Sequence, residues 1–108
     1  MDEQARSWRV SVPETRRERA RGLIGREPFA QGEALFLEGC RSVHTIGMRF
    51  AIDVALLDAS LRVTRIVTLA PNRLLLPQPG GRHVLELAEG SGLEPGRRFR
   101  RPTRVPAV

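Results

Sequence analysis

The chain contains no lysine, a single cysteine, and no apolar run long enough to cross a bilayer. One cysteine cannot close an internal disulfide, so Cys40 is compatible with a reducing compartment. One cysteine and two histidines fall short of the four N or S ligands of a closed structural zinc site unless carboxylates join them. A membrane helix needs roughly 20 consecutive apolar residues, and none of the runs approaches that. The opening MDEQARSWRV begins with acids where a secretory signal carries a basic region and then an apolar one, so the expected location is cytoplasmic, with no membrane partner. Neither a GxSxG elbow nor a phosphate-binding glycine loop is present, and nothing around Cys40 and His44 marks a thiol protease. No cofactor is implied.

All 18 basic residues are arginine. Guanidinium suits bidentate contact with phosphate or carboxylate, although codon composition is the plainer explanation of the bias. The net charge of +6 is concentrated at the C-terminus, where Arg97, Arg98, Arg100, Arg101 and Arg104 follow the last acid, Glu94. The first 96 residues hold 13 arginines against 12 acids and are nearly neutral. Such a tail can contact nucleic acid through phosphates. With no interleaved aromatic but Phe99 and no recognition motif, the plainer expectation is a solvated tail, and nucleic acid is not the favoured partner.

At 108 residues there is volume for one core, so residues 1–108 are expected to form one domain, with 1–7 and 101–108 as loose termini. Trp8, Val10 and Val12 alternate with polar residues and predict a strand. Thr15 to Glu18 reads as a capping box, and Ala20, Leu23 and Ile24 supply the buried stripe of a helix over about 15–25, ending at Gly25. Ala34 to Leu37 predicts a short buried strand. Phe50 to Leu57 is apolar on both faces except at Asp53, as expected of a strand covered on two sides. A tight turn at Asp58 leads into a hairpin partner, Leu61 to Leu69, with Leu61, Val63, Val67 and Leu69 expected on one face. Prolines bracket Leu74 to Leu76 and leave room for a very short strand. His83 to Ala88 alternates again, and a last short segment surrounds Phe99. Six or seven short strands with one early helix describe a mainly β fold, a small sandwich or barrel-like domain.

Several of these stretches resemble one family. Glu18 to Arg26, ERARGLIGR, is similar to the ERARGLMGR signature of the DUF192 family, also known as UPF0127. Ala34 to Leu37 sits where that family has its GMLFxF strand. Cys40 to Asp58 resembles the form of the central motif common in actinobacteria, CxxVHTxxMRxPIDVxFLD. His83 to Leu87 followed by Gly90 resembles its VLEL strand and glycine, and Gly96 the glycine of its final turn. The likeness runs from about residue 8 to 100. It implies a compact, mostly β fold with little helix and implies no activity, because none is assigned to the family. Other members often carry signal peptides or lipoprotein anchors, which this N-terminus does not resemble. Actinobacterial members of the family are encoded near pilus or secretion machinery, so the resemblance hints at a partner of that kind. Ala51 stands where the motif has proline, Ser60 departs from the expected turn glycine, and Arg97 replaces the acid after Gly96.

The stretch from Gly39 to Asp58 holds the candidate site. Cys40, His44 and Met48 recur every four residues, a soft-metal spacing if helical. Gly39, Gly47 and the β-branched Val43, Thr45 and Ile46 favour extended or irregular backbone instead, where four residues span roughly 13 Å. The plain reading makes Cys40 and Met48 core and His44 hydrogen-bonded. Asp53 inside an apolar strand requires a partner, with Arg41, Arg49 and His44 nearest in sequence, or else it holds backbone amides of a loop. The leading expectation is a non-catalytic domain binding a small ligand or protein around His44, Thr45, Arg49 and Asp53. The alternatives are an enzyme or metal protein using Cys40, His44 and Asp53, and nucleic-acid contact through the tail.

Overall fold

The computed structural model describes residues 8–12 and 29–100. The expected helix over 15–25 and the expected loose termini 1–7 and 101–108 lie outside the described residues. Within them the chain is a mainly β protein of seven strands in two sheets: β1 (Arg9–Ser11), β2 (Glu33–Leu37), β3 (Val43–His44), β4 (Ile52–Leu57), β5 (Val63–Leu69), β6 (Leu74–Leu75) and β7 (His83–Ala88). Five form one sheet in the order β1-β2-β7-β4-β5, and β3 pairs with β6 in a two-stranded ribbon. Only β1 and β2 run parallel; the other neighbours are antiparallel.

β4 is the hub. Flanked by β5 and β7, it is buried at all six positions, which explains its near-continuous apolar run. Its alternate residues serve two cores. Ile52, Val54 and Leu56 face a core closed by Phe29, Val43, Met48 and Leu75, so the ribbon roofs this first face. Ala55 and Leu57 face a second core closed by Leu61, Leu93 and Leu85, with Trp8, Val10 and Phe99 packed against it. The five-stranded sheet is therefore covered on both sides.

The β5 facing differs from the expectation. Leu61 and Val63 join the second core, while Val67 and Leu69 join the first. The cause is a bulge: Leu56 pairs with Arg65 but Leu57 with Val63, leaving Thr64 as an extra residue. One inserted residue reverses the face of everything beyond it. The segment around Phe99 is held edgewise, with Arg62 and Arg98 forming an isolated antiparallel bridge. Phe99 meets Trp8 edge to face at 5.9 Å between centroids, and the Arg97 guanidinium lies 5.4 Å from both ring centroids, closing the second core with a cation against two aromatic faces.

Candidate binding surface

Thr45 organises the outer ribbon. Its side chain is fully buried; its hydroxyl donates to the Ala70 carbonyl at 2.6 Å and accepts from the Arg73 amide at 2.9 Å. Its backbone N–H donates to the Arg73 carbonyl, and its carbonyl accepts from the Asn72 and Met48 amides. Asn72 takes a left-handed φ of 61°, which asparagine tolerates better than most residues, and its side-chain oxygen accepts from the Gly47 amide. These bonds tie together the two turns at one end of the ribbon, where β3 and β6 register His44 against Leu74 and Val43 against Leu75.

The ribbon's inward side chains, Val43, Met48 and Leu75, fill the first core. His44 is exposed on its outward side, and Arg49 and Arg73 are exposed in the turns beside it. The ribbon and its flanks also carry the large exposed apolar side chains Ile46, Leu74 and Leu76, at 59%, 61% and 61% exposure. The segments that carry and flank its two strands, residues 39–52 and 70–82, contain Arg41, Arg49, Arg73 and Arg82 and no acid. Arg41 is anchored through Nε to the Gly81 carbonyl.

Asp53 occupies a different place. It alternates with Ala55 and Leu57 toward the second face, away from the ribbon. There it is 5% exposed, and its carboxylate accepts from Thr68 Oγ1 at 2.7 Å, Ser91 Oγ at 2.8 Å and the Ser91 amide at 3.0 Å. The partners are thus remote in sequence rather than the nearby Arg41, Arg49 or His44. Three donors meet the requirement of a buried carboxylate and tie the loop after β7 to the central strand. Of the sequence-predicted residues, His44, Thr45 and Arg49 are brought together on or under the ribbon, and Asp53 is not. Met48 is buried, half-buried Cys40 packs against the same core, and His44 points outward. Among the described residues no three His, Cys, Asp or Glu side chains form a group able to hold a metal ion. No helix among them is long and apolar enough to cross a membrane.

Sequence reasoning missed Ile46, Leu74 and Leu76 as surface residues. The available signal was the short space between Pro71 and Pro77, too cramped for three consecutive leucines to be buried on a two-residue strand. It also passed over His83, whose Nδ1 accepts from the Gly39 amide at 2.9 Å and joins the end of β2 to β7.

A small two-sheet β domain with a roofed central strand and an outward ribbon is the class defined by this geometry. The chain belongs to the DUF192 family, uncharacterized ACR, whose model matches residues 1–100. It is 34% identical over 89 residues to the UPF0127 protein PH1112 of Pyrococcus horikoshii, covering 78% of this chain and 77% of that one. Its fold is similar to that of a protein of unknown function from Novosphingobium aromaticivorans, with a TM-score of 0.70 at 22% identity. That match covers 82% of this chain and 71% of the other.

Proposed function

We propose that this domain is a non-catalytic binding module whose β3–β6 ribbon docks an acidic, amphipathic segment of a partner protein. The observation that carries the reading is the exposed apolar set Ile46, Leu74 and Leu76 on and beside a ribbon whose flanking segments, residues 39–52 and 70–82, contain four arginines and no acid. Apolar side chains exposed together beside one sign of charge mark an interaction surface, and the partner that complements both features alternates apolar with acidic residues. In this reading His44 and Arg49 contact the partner. Thr45 shapes the ribbon from beneath, and Asp53 steadies the sheet behind it. A lipid surface is the less favoured occupant, because the outward side holds no tryptophan or tyrosine to anchor at a headgroup boundary.

The test is a titration of isotope-labelled protein with a synthetic peptide alternating glutamate and leucine, followed by amide chemical shifts. Shifts confined to residues 43–49 and 72–76 are expected, with affinity falling about tenfold or more in Leu74→Glu and Arg73→Glu. A peptide that shifts no ribbon amide, or anionic vesicles that bind where the peptide does not, would overturn the reading.

A further inference from the structure

The opposite face of the sheet carries a second feature that the ribbon reading does not use. An open depression of about 620 Å³ lies between the β4–β5 turn and the C-terminal segment, lined by Ala59, Ser60, Leu61, Arg98, Phe99 and Arg100. That volume is in the range of small-molecule sites, roughly 300–1,000 Å³. Its lining divides by chemistry: Ala59 and Phe99 offer apolar surface over buried Leu61, and Arg98 and Arg100 offer two guanidinium groups, both exposed.

The two arginines differ in how they are held. Arg98 is fixed through Nε to the Ser60 carbonyl at 3.2 Å, which positions its head beside the turn while its terminal nitrogens have no hydrogen-bond partner among the described residues. Arg100 has no hydrogen bond or ion pair with another described residue. The neighbouring cations are occupied, Arg62 by the Gly96 carbonyl and Arg97 by the Trp8 and Phe99 rings. The nearest acids in sequence are Asp58 and Glu94. Asp58 is engaged by three donors from its own turn, so the local balance of four arginines against two acids stays positive.

The depression is built over a strained position. Leu61 has a φ of 66°, a left-handed conformation that a leucine rarely adopts, while its side chain is 5% exposed in the second core. Such strain persists only where the surroundings over-determine it and clusters at ligand sites. Here the turn bonds around Asp58 and the bond from the Phe99 amide to the Leu61 carbonyl hold it.

We infer that this depression binds a small phosphate monoester with an apolar or planar body, of the size of a mononucleotide, with Arg98 and Arg100 on the phosphate and Ala59 and Phe99 against the ring. Two guanidinium groups match a group carrying about −1.5 to −2 charge better than a monovalent carboxylate. The site is independent of the ribbon proposal, and its failure leaves that reading untouched.

The experiment is isothermal titration of the full chain with adenosine monophosphate, inorganic pyrophosphate, benzoate and a short oligothymidylate. Saturable binding of adenosine monophosphate is expected, weakened by added salt and reduced about tenfold or more in Arg98→Gln/Arg100→Gln. Benzoate should bind more weakly, and Arg73→Glu and Arg101→Gln/Arg104→Gln should leave nucleotide binding unchanged. Arg100→Gln alone decides the matter if the double variant fails to fold. Absence of nucleotide binding, or binding undiminished by the pocket variants, overturns the inference. So does oligothymidylate binding that depends on Arg101 and Arg104 while the mononucleotide does not bind.

Discussion

Asp53 and Ser91 are joined twice: the same carboxylate oxygen accepts from the Ser91 hydroxyl at 2.8 Å and from its backbone amide at 3.0 Å. Both residues are buried, so neither loses its partner to water without cost. Asp53→Ala should lower stability by about 3 kcal/mol, because it strands the buried amide and hydroxyl of Ser91. Ser91→Ala keeps the amide bond and should cost about 1–2 kcal/mol. The double variant should cost less than the two singly summed, since the lost hydroxyl bond is common to both. Urea unfolding of the four proteins measures this. Strict additivity would show that the two residues are not energetically coupled.

The pair also marks the limit of what the sequence discloses. That Asp53 must have a partner follows from its place in an apolar strand, because burying a bare carboxylate is too costly. Which partner it takes depends on a loop 38 residues away, and nothing local to β4 encodes that. Strand positions were legible wherever turn residues bracketed an apolar run, as at β2, β4, β6 and β7. The facing of β5 was not, because Thr64 is as good a strand residue as any and only the pairing reveals it as the extra one in the bulge. The candidate surface was half legible. His44 and Arg49 interrupt an apolar stretch, whereas the exposed Leu74 of β6 and Leu76 just after it look like core in a one-dimensional reading.

Leu61 offers an inverted mutational order. Leu61→Ala removes buried side chain at a cost of about 2–4 kcal/mol and leaves the left-handed backbone in place. Leu61→Gly loses comparable burial but relieves roughly 1 kcal/mol of left-handed strain. The glycine variant should therefore be the more stable of the two by about 1 kcal/mol, opposite to the usual ranking in regular structure. Paired thermal melts decide it, and an alanine variant as stable as the glycine one would mean that the backbone relaxes out of the left-handed region.

Asp58 makes the turn sensitive to acid. All three of its bonds, from the Arg62 amide, the Ser60 hydroxyl and the Ser60 amide, end on Oδ1. The Arg62 amide and then the Ser60 hydroxyl hold its carboxyl below the ordinary 3.8. A depressed folded-state value means that the contribution is fully present above the unfolded value and fades as the pH falls through the folded one. Asp58→Asn keeps an acceptor oxygen and removes the charge. The native chain should therefore melt higher than the variant at neutral pH, with the gap closing as the pH drops below 3.8. A gap constant over that window would assign the difference to geometry rather than ionisation.

Thr45 should separate a hydroxyl from a methyl more cleanly than other positions on the ribbon. Valine matches its shape but supplies neither the donor to the Ala70 carbonyl nor the acceptor for the Arg73 amide. In a fully buried setting that leaves two backbone groups unpaired, so Thr45→Val should cost about 2–3 kcal/mol. Serine retains the hydroxyl and gives up one methyl, about 1 kcal/mol. The loss in the valine variant should concentrate at the two turns that Thr45 ties together, the one after β3 and the one before β6. Hydrogen exchange at the Asn72 and Arg73 amides should quicken in Thr45→Val by more than its global destabilisation accounts for, and stay near native in Thr45→Ser. Uniform acceleration across β4 and β7 as well would mean that Thr45 supports the whole sheet rather than the ribbon alone.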